Sequence, residues 1–303
     1  MELGIGLPTS GPLATPANIA TVAKEAEQLG YDALWTYERL LRPLGDVEQG
    51  GGKGPLPEAY RLVFEPLETL SYVAALTSTI RLGTSIVNAL MHPPVVLARR
   101  FATLDQLSGG RAIAGVGQGW MQEEFDTVGV PKQRIGAGFD EVLEAIRACW
   151  GPDPVRHEGR YYTIAPSEVN PKPVQQRLPI LMGSISPAGI KRAARIADGL
   201  NPIAFSQDTL LQTVSAFREA AREQGRDAAA LPVVARVNVP ITPDPLGEDR
   251  PYLGGSPAQI AEALAALGDS GVDQVLFSNT ASTDLDTELR LLEQLRAEHA
   301  KLG

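Results

Sequence analysis

The strongest constraint on this chain is an alternation. A short apolar run followed by an amphipathic helical segment occurs eight times along its 303 residues. Residues 3–7 form an apolar run ending at Pro8, the pattern of a buried strand. Thr15 then suits a helix N-cap, with Pro16 at the first helical position. Ile19, Val22, Ala23, Ala26 and Leu29 recur at helical spacing, and Gly30 is placed to end the helix. The same reading predicts strands over 33–36, 80–87, 111–116, 179–182, 199–203, 233–241 and 274–277. It predicts helices over 66–77, 94–107, 139–150, 187–197, 208–224, 257–267 and 285–299. Two segments interrupt the alternation. A long loop, 39–60, follows the second strand, and 155–164 reads as a small hairpin turning at Glu158-Gly159 before the fifth strand.

Eight such units predict an α/β fold, a single (β/α)8 TIM barrel with two insertions, occupying residues 1–303 as one domain. A doubly wound sheet satisfies the same periods, because periodicity alone does not show closure. No linker or internal repeat divides the chain. The net charge of -9 excludes a general nucleic-acid binder. One cysteine, Cys149, permits no intrachain disulfide. With no basic-then-apolar leader and no apolar run of membrane-spanning length, the expectation is a cytoplasmic protein without membrane contact. His92, His157 and His299 are neither clustered nor at ligand spacing, so no metal site is expected.

In a barrel of this kind the active site lies at the C-terminal ends of the strands. That rule selects Pro8-Thr9, Tyr37-Glu38-Arg39, Ser85-Ile86-Val87-Asn88, Gly117-Gln118-Gly119-Trp120 and Gly183-Ser184-Ile185-Ser186. The glycines at 115, 117 and 119 allow close backbone approach to a ring or phosphate, or simply make a tight turn. They do not form the dinucleotide fingerprint. Gly183 to Pro187 offers free backbone N–H groups, two hydroxyls and a helix N-terminus, an anion cradle. The same residues equally suit a serine N-cap followed by proline. Glu123, Glu124 and Asp126 are acid/base candidates that also read as solvated charges in a first helical turn. Glu38 and Arg39 sit where catalysis is expected, yet also read as a loop ion pair, with Arg39 exposed. Trp35 is assigned to barrel packing and Trp120 to contact with a ring. Arg39, Arg42, Lys53 and Arg61 place four cations in or beside the 39–60 loop. With Gly50-Gly51-Gly52, Gly54, Pro55 and Pro57, that loop reads as a mobile basic lid for a polyanionic tail, or as a solvated loop without function.

Several strings taken together resemble the bacterial luciferase-like superfamily. They are Gly30-Tyr31-Asp32-Ala33-Leu34-Trp35, Ile80-Arg81-Leu82-Gly83-Thr84-Ser85, and the block from Ala102 to Arg111 that continues through Gly115–Trp120 to Glu124-Phe125. Arg192-Ala193-Ala194-Arg195, Ala197-Asp198-Gly199 and Gly271-Val272-Asp273 extend the match over essentially the whole chain. The resemblance implies a (β/α)8 barrel binding coenzyme F420 or FMN, and the pattern is closest to the F420-dependent hydride-transfer branch. It implies a non-proline cis peptide at Ser85-Ile86 supporting the ring, with Asn88 as a neighbouring polar contact. It also assigns Gln118, Gly119 and Trp120 to the ring's edge, and Gly183, Ser184 and Ile185 to the phosphate loop.

Two departures shape the expected chemistry. Many relatives carry Asp-His after the second strand, where this chain has Glu38-Arg39, and sugar-phosphate dehydrogenases of the branch carry glutamate in the place of Trp120. Alcohol oxidation needs a group to accept a proton. The expected reaction is therefore reduction of an activated C=C or C=N bond, with the proton from Tyr37, Glu38 or water and Arg39 binding negative charge. The alternatives are an FMN-dependent monooxygenase fed by a partner flavin reductase, and a non-catalytic flavin or deazaflavin carrier. Relatives are often dimers, which makes a homodimer the expected assembly around a small-molecule site.

Overall fold

The computed structural model describes residues 1–49, 52–279 and 282–302; Gly50 and Gly51 of the glycine-rich loop lie outside them. The eight strands that carry the fold are β1 (Glu2–Gly6), β2 (Ala33–Thr36), β3 (Arg81–Thr84), β4 (Ala112–Gly117), β5 (Ile180–Met182), β6 (Gly199–Leu200), β7 (Val234–Val237) and β8 (Gln274–Phe277). All pair in parallel, in the spatial order β6-β5-β4-β3-β2-β1-β8-β7. Parallel bridges Leu200 to Val233 and Ile203 to Arg236 bring the two ends together, so the sheet curls into a nearly closed barrel. Closure decides against the doubly wound sheet.

Five helices open on proline, Pro16–Gln28, Pro66–Ala74, Pro94–Ser108, Pro187–Ile196 and Pro257–Leu267. Proline's fixed φ suits that position, and its missing N–H would be unpaired there anyway. Thr15 caps the first by accepting from Asn18 N at 3.1 Å.

Period-two alternation along the strands separates two cores. Ala33, Trp35, Ile113, Leu181, Val234 and Leu276 form one cluster inside the barrel. Their sequence neighbours, including Leu34, Ala112, Ile180, Ala235 and Val275, join the larger cluster beneath the helices. Trp35 dominates the interior, with Nε1 donating to Gln274 Oε1 at 3.0 Å. Gly83 makes room for it: a Cβ there would stand 2.3 Å from the indole.

Several boundaries differ from the sequence expectation. The third strand is interrupted, because the Ser85–Ile86 peptide is cis and separates Arg81–Thr84 from a second short piece, Val87–Asn88. The hairpin pairs Val155–Glu158 with Thr163–Ser167, so its turn runs over 159–162, keeping Gly159 and leaving Glu158 in the strand. The sixth strand is shorter than 199–203, and the seventh ends at Val237, ahead of Pro240, rather than at 241. Loop 39–60 contains its own antiparallel pair, Val47–Gln49 with Gly52–Gly54, and a 3-10 turn, Glu58–Arg61. Val47 and Leu56 pack with Met121, so this part of the loop is seated on the barrel rather than free. No helix among the described residues is long and apolar enough to cross a membrane.

Candidate active site

Two residues beyond Trp35, Leu181 and Val234 along their strands come Tyr37, Gly183 and Arg236, and four beyond Ile113 comes Gly117. All four line a cavity of about 990 Å³ at the C-terminal mouth of the barrel. The cavity is thus the next inward layer of the barrel, left open because two of its positions are glycine. The twelve residues assigned to catalysis or to the cofactor line it, Tyr37, Glu38, Arg39, Ser85, Ile86, Asn88, Gln118, Gly119, Trp120, Gly183, Ser184 and Ile185, whereas the strand-end candidates Pro8, Thr9 and Val87 do not.

The floor is built around the cis peptide. Ile86 stands over two glycines, since a Cβ would lie 2.6 Å from its Cδ1 at Gly117 and 2.9 Å from its Cγ2 at Gly183. Ser85 Oγ donates to Asn201 Oδ1 at 2.6 Å, and Asn201 Nδ2 donates to Val234 O at 2.7 Å. Backbone N–H of Glu38 donates to Ile86 O at 3.0 Å, tying the exit of β2 to the cis peptide. Opposite, Ser186 caps the helix Pro187–Ile196 by accepting from Gly189 N at 3.2 Å, and Ser184 Oγ accepts from Ser186 N at 3.3 Å. The N-cap reading of this loop holds, and the loop also borders the cavity.

The wall beside Glu38 holds a connected polar network. Glu38 Oε1 pairs with His92 Nε2 at 2.6 Å, and Oε2 accepts from Asn88 N at 2.8 Å. Asn88 Nδ2 reaches Glu124 Oε2 at 3.4 Å, and Glu124 Oε1 pairs with Arg39 Nη1 at 2.8 Å and accepts from Leu40 N at 3.0 Å. Burial pushes the Glu124 carboxyl up, against the opposing pull of Arg39. The Arg39 guanidinium lies between the rings of Tyr60 and Trp120, 5.4 and 5.2 Å from their centroids.

This network corrects four expectations. Glu38 and Arg39 do not pair with each other. Arg39 is not exposed; its side chain is 9% accessible and occupied by Glu124. Glu124 is not a solvated charge but fully buried. The basic set in and beside the 39–60 loop is not a free patch among the described residues: Arg42 and Arg61 share Glu58, and Lys53 lies 3.5 Å from Glu48. Burial also raises Tyr37, whose hydroxyl donates to Ser10 Oγ at 2.5 Å. Gln118 Oε1 accepts from Gly136 N at 2.9 Å, while Trp120 stays 41% exposed at the rim.

Sequence reasoning missed His92, Asn201 and Arg236. His92 follows the turn Ala89–Met91 at the exit of the third strand, so the strand-end rule extended by four residues finds it. Asn201 and Arg236 lie at the ends of strands read too long.

A chemical fit to a flavin-type ring is present. Gly117 and Gly183 leave the room that the Ile86 side chain fills, and Ile86 and the Gly183–Ser186 loop border the same cavity, an apolar support for a flat ring and a loop at a helix start for a phosphate. The chain belongs to the luciferase-like monooxygenase family, whose model matches residues 1–245. It is accordingly an enzyme of the luciferase-like oxidoreductase class. It is similar to an uncharacterized protein of Mycobacterium tuberculosis, 34% identical over 305 residues with 99% of each chain covered. It also resembles the F420-dependent glucose-6-phosphate dehydrogenase of Kineococcus radiotolerans, 31% identical over 252 residues, covering 80% of this chain and 69% of the relative. Its fold matches the coenzyme F420-dependent tetrahydromethanopterin reductase of Methanopyrus kandleri, with TM-score 0.81, 23% identity, and 99% and 98% of the two chains covered.

Proposed function

We propose that this chain binds reduced coenzyme F420 in the barrel-mouth cavity and transfers a hydride to a small organic acceptor bearing an activated C=C or C=N bond. The observation that carries this reading is the convergence of Ile86 and the Gly183–Ser186 loop on one cavity, in a chain with F420-dependent relatives. Ile86 would support the ring, with Asn88, Gln118, Gly119 and Trp120 around its edge. Gly183, Ser184 and Ile185, next to a helix N-terminus, would hold a phosphate. When bound, the deazaflavin supplies the hydride; the protein orients it against the acceptor and excludes water.

Glu38 is the one carboxylate lining the cavity among the described residues. Reduction of a C=C or C=N bond consumes one proton beside the hydride, and one acid at the wall meets that need. Tyr37, whose hydroxyl donates to Ser10, and water are the other proton sources. Arg39 keeps its place at the rim through Glu124 and the two rings, holding the 39–60 loop against Trp120.

A second reading, an FMN-dependent monooxygenase using O2 and a partner reductase, draws support from the family that the chain belongs to. The rim residues Trp120, Ile135, Ile185 and Phe205 suit it too, since apolar side chains around the mouth favour a dry site. Titrating the pure protein with F420 and with FMN tests both readings. Binding of F420 at least tenfold tighter than FMN is the expected result; tight FMN with no F420 binding would overturn it.

A further inference from the structure

Arg236 is the charged group at this site that the proposed reaction leaves unused. It projects from β7 two residues beyond the interior Val234 and lines the cavity. Its Nε donates to Asn238 Oδ1 at 2.8 Å, and Nη1 donates to the carbonyl oxygen of Ser85. The guanidinium carbon stands 4.8 Å from the centroid of the Tyr37 ring. Among the described residues, Nη2 donates to nothing, and no carboxylate forms an ion pair with Arg236. The ionisable groups facing it are Tyr37, Tyr60 and Arg39. Burial keeps the Tyr37 phenol protonated, and Arg39 is itself a cation already matched by Glu124.

The contrast with other inward-turned arginines is informative. Arg39, Arg147 and Arg192 each face a carboxylate of this chain at 2.8, 2.7 and 2.6 Å; Arg111 has none but spends its donors on Thr77 and on backbone carbonyls, whereas Nη2 of Arg236 is left over. A guanidinium stays charged at any physiological pH. An unmatched charge in a low-dielectric wall is costly, and an anionic ligand removes that cost.

Geometry limits what that ligand is. Tyr37 covers a face of the guanidinium, and Ser85 O and Asn238 take two of its N–H groups. The donors left lie at the edge of the plane, the arrangement that meets a flat oxyanion side-on. Around it the floor is neutral: Ser85 and Asn201 are hydrogen-bonded to each other, and Asn201 Nδ2 is spent on Val234 O. Among the described residues that line the cavity, Arg236 is the one cation without a carboxylate partner, and beside it stands only the neutral amide of Asn238, so the site matches one negative charge.

We propose that Arg236 is the anion seat of the cavity, receiving a planar monoanionic group, a carboxylate or a deprotonated ring amide, beside the Ser85–Ile86 peptide. The proposal rests on the reading of this cavity as a hydride-transfer site. The same chemistry has two sources: a carboxylate on the substrate, or the pyrimidine edge of the cofactor.

The test uses the wild-type protein, Arg236→Met and Arg236→Lys, each checked for folding by circular dichroism. One arm measures binding of benzoate and of the neutral benzamide to protein without cofactor by calorimetry. A second measures F420 and FMN affinity by fluorescence, together with the ionisation of the bound ring by absorbance. Benzoate binding in preference to benzamide, lost at least tenfold in Arg236→Met, supports a substrate carboxylate. Cofactor affinity down at least tenfold, with the bound ring harder to deprotonate, supports the ring edge. Arg236→Lys keeps the charge but loses the planar fork, so it should weaken the same ligand by a smaller factor; it decides the outcome where Arg236→Met does not fold. Both ligands within twofold of wild type in the folded variant would overturn the proposal. Failure of wild type to bind either cofactor would overturn the hydride-transfer reading instead, and the benzoate arm still reads out separately.

Discussion

Glu38 Oε1 and His92 Nε2 lie 2.6 Å apart, with the glutamate on the cavity wall and the imidazole outside the cavity lining. The two residues come from different strand exits, β2 and β3, so the pair exists only once the barrel has formed. It places a histidine beside the site although none follows the second strand. If Glu38 delivers the proton, Glu38→Gln should lower the rate of reduced-cofactor oxidation by about 10²-fold or more, the usual range for a positioned acid. His92→Gln, which leaves the carboxyl in place, should cost less. Stopped-flow absorbance of a single turnover measures both. Unchanged rates in Glu38→Gln would remove it from the chemistry.

Arg39 calls for a different kind of test, because its guanidinium is enclosed. Arg39→Ala leaves the fully buried Glu124 without its cation, and loss of one partner of a buried pair costs about 3–5 kcal/mol. Arg39→Ala combined with Glu124→Gln should recover part of that loss. Urea denaturation of the two variants checks it. A stable Arg39→Ala protein with impaired turnover would return Arg39 to substrate binding.

The phosphate-loop assignment predicts that Gly183→Asp weakens cofactor binding at least tenfold, through both bulk against Ile86 and repulsion of an anion. Gly183→Ala carries the bulk without the charge and should weaken it less. Equal affinity for the wild-type and Asp proteins, measured by fluorescence titration, would place the phosphate elsewhere.

Much of this architecture is legible in the sequence for a local reason. Proline at the helix starts, glycine at the stops and period-two strands act within a few residues, and the C-terminal rule for barrels then collects Tyr37, Ser85, Gly117 and Gly183 at one mouth. What is not legible depends on distant partners. Nothing near Arg39 announces Glu124, and nothing near His92 announces Glu38. Arg236 is hidden differently: β-branched and apolar residues continue past Val237, so a strand read to 241 puts Arg236 in its middle, whereas the pairing stops before Pro240. The break after Thr84 is also invisible to apolar periodicity and comes only from the family strings around Ser85-Ile86.

Trp35 and Gly83 give a stability prediction confined to the barrel interior. A methyl group at position 83 would stand 2.3 Å from the indole, which is held by Gln274 and has no free side to move toward. Gly83→Ala should therefore destabilise the fold by about 1–3 kcal/mol, the usual cost of overpacking a filled core. Chemical denaturation measures it; a neutral outcome would mean that the indole can tilt.

Asp198 supplies the pH dependence. It accepts from Arg147 and Arg177 at 2.7 Å each and from Ile180 N at 2.8 Å, joining the entry of β5 to that of β6 below the cavity. Burial pushes its carboxyl up, but these donors outweigh burial and hold it below its ordinary 3.8. A carboxylate whose folded pKa is depressed stabilises the protein fully above its unfolded pKa, and that contribution is lost as pH falls through the folded value. Asp198→Asn should cost about 2 kcal/mol at pH 7, the scale of hydrogen bonds to a charged group. The gap between variant and wild type should narrow as pH drops below 3.8, because the unfolded chain then takes up a proton that the folded Asp198 still refuses. Urea denaturation at neutral and at acid pH reads the difference directly. A gap that stays constant across that range would mean that Asp198 holds the strand entries by shape and neutral hydrogen bonding, not by its charge.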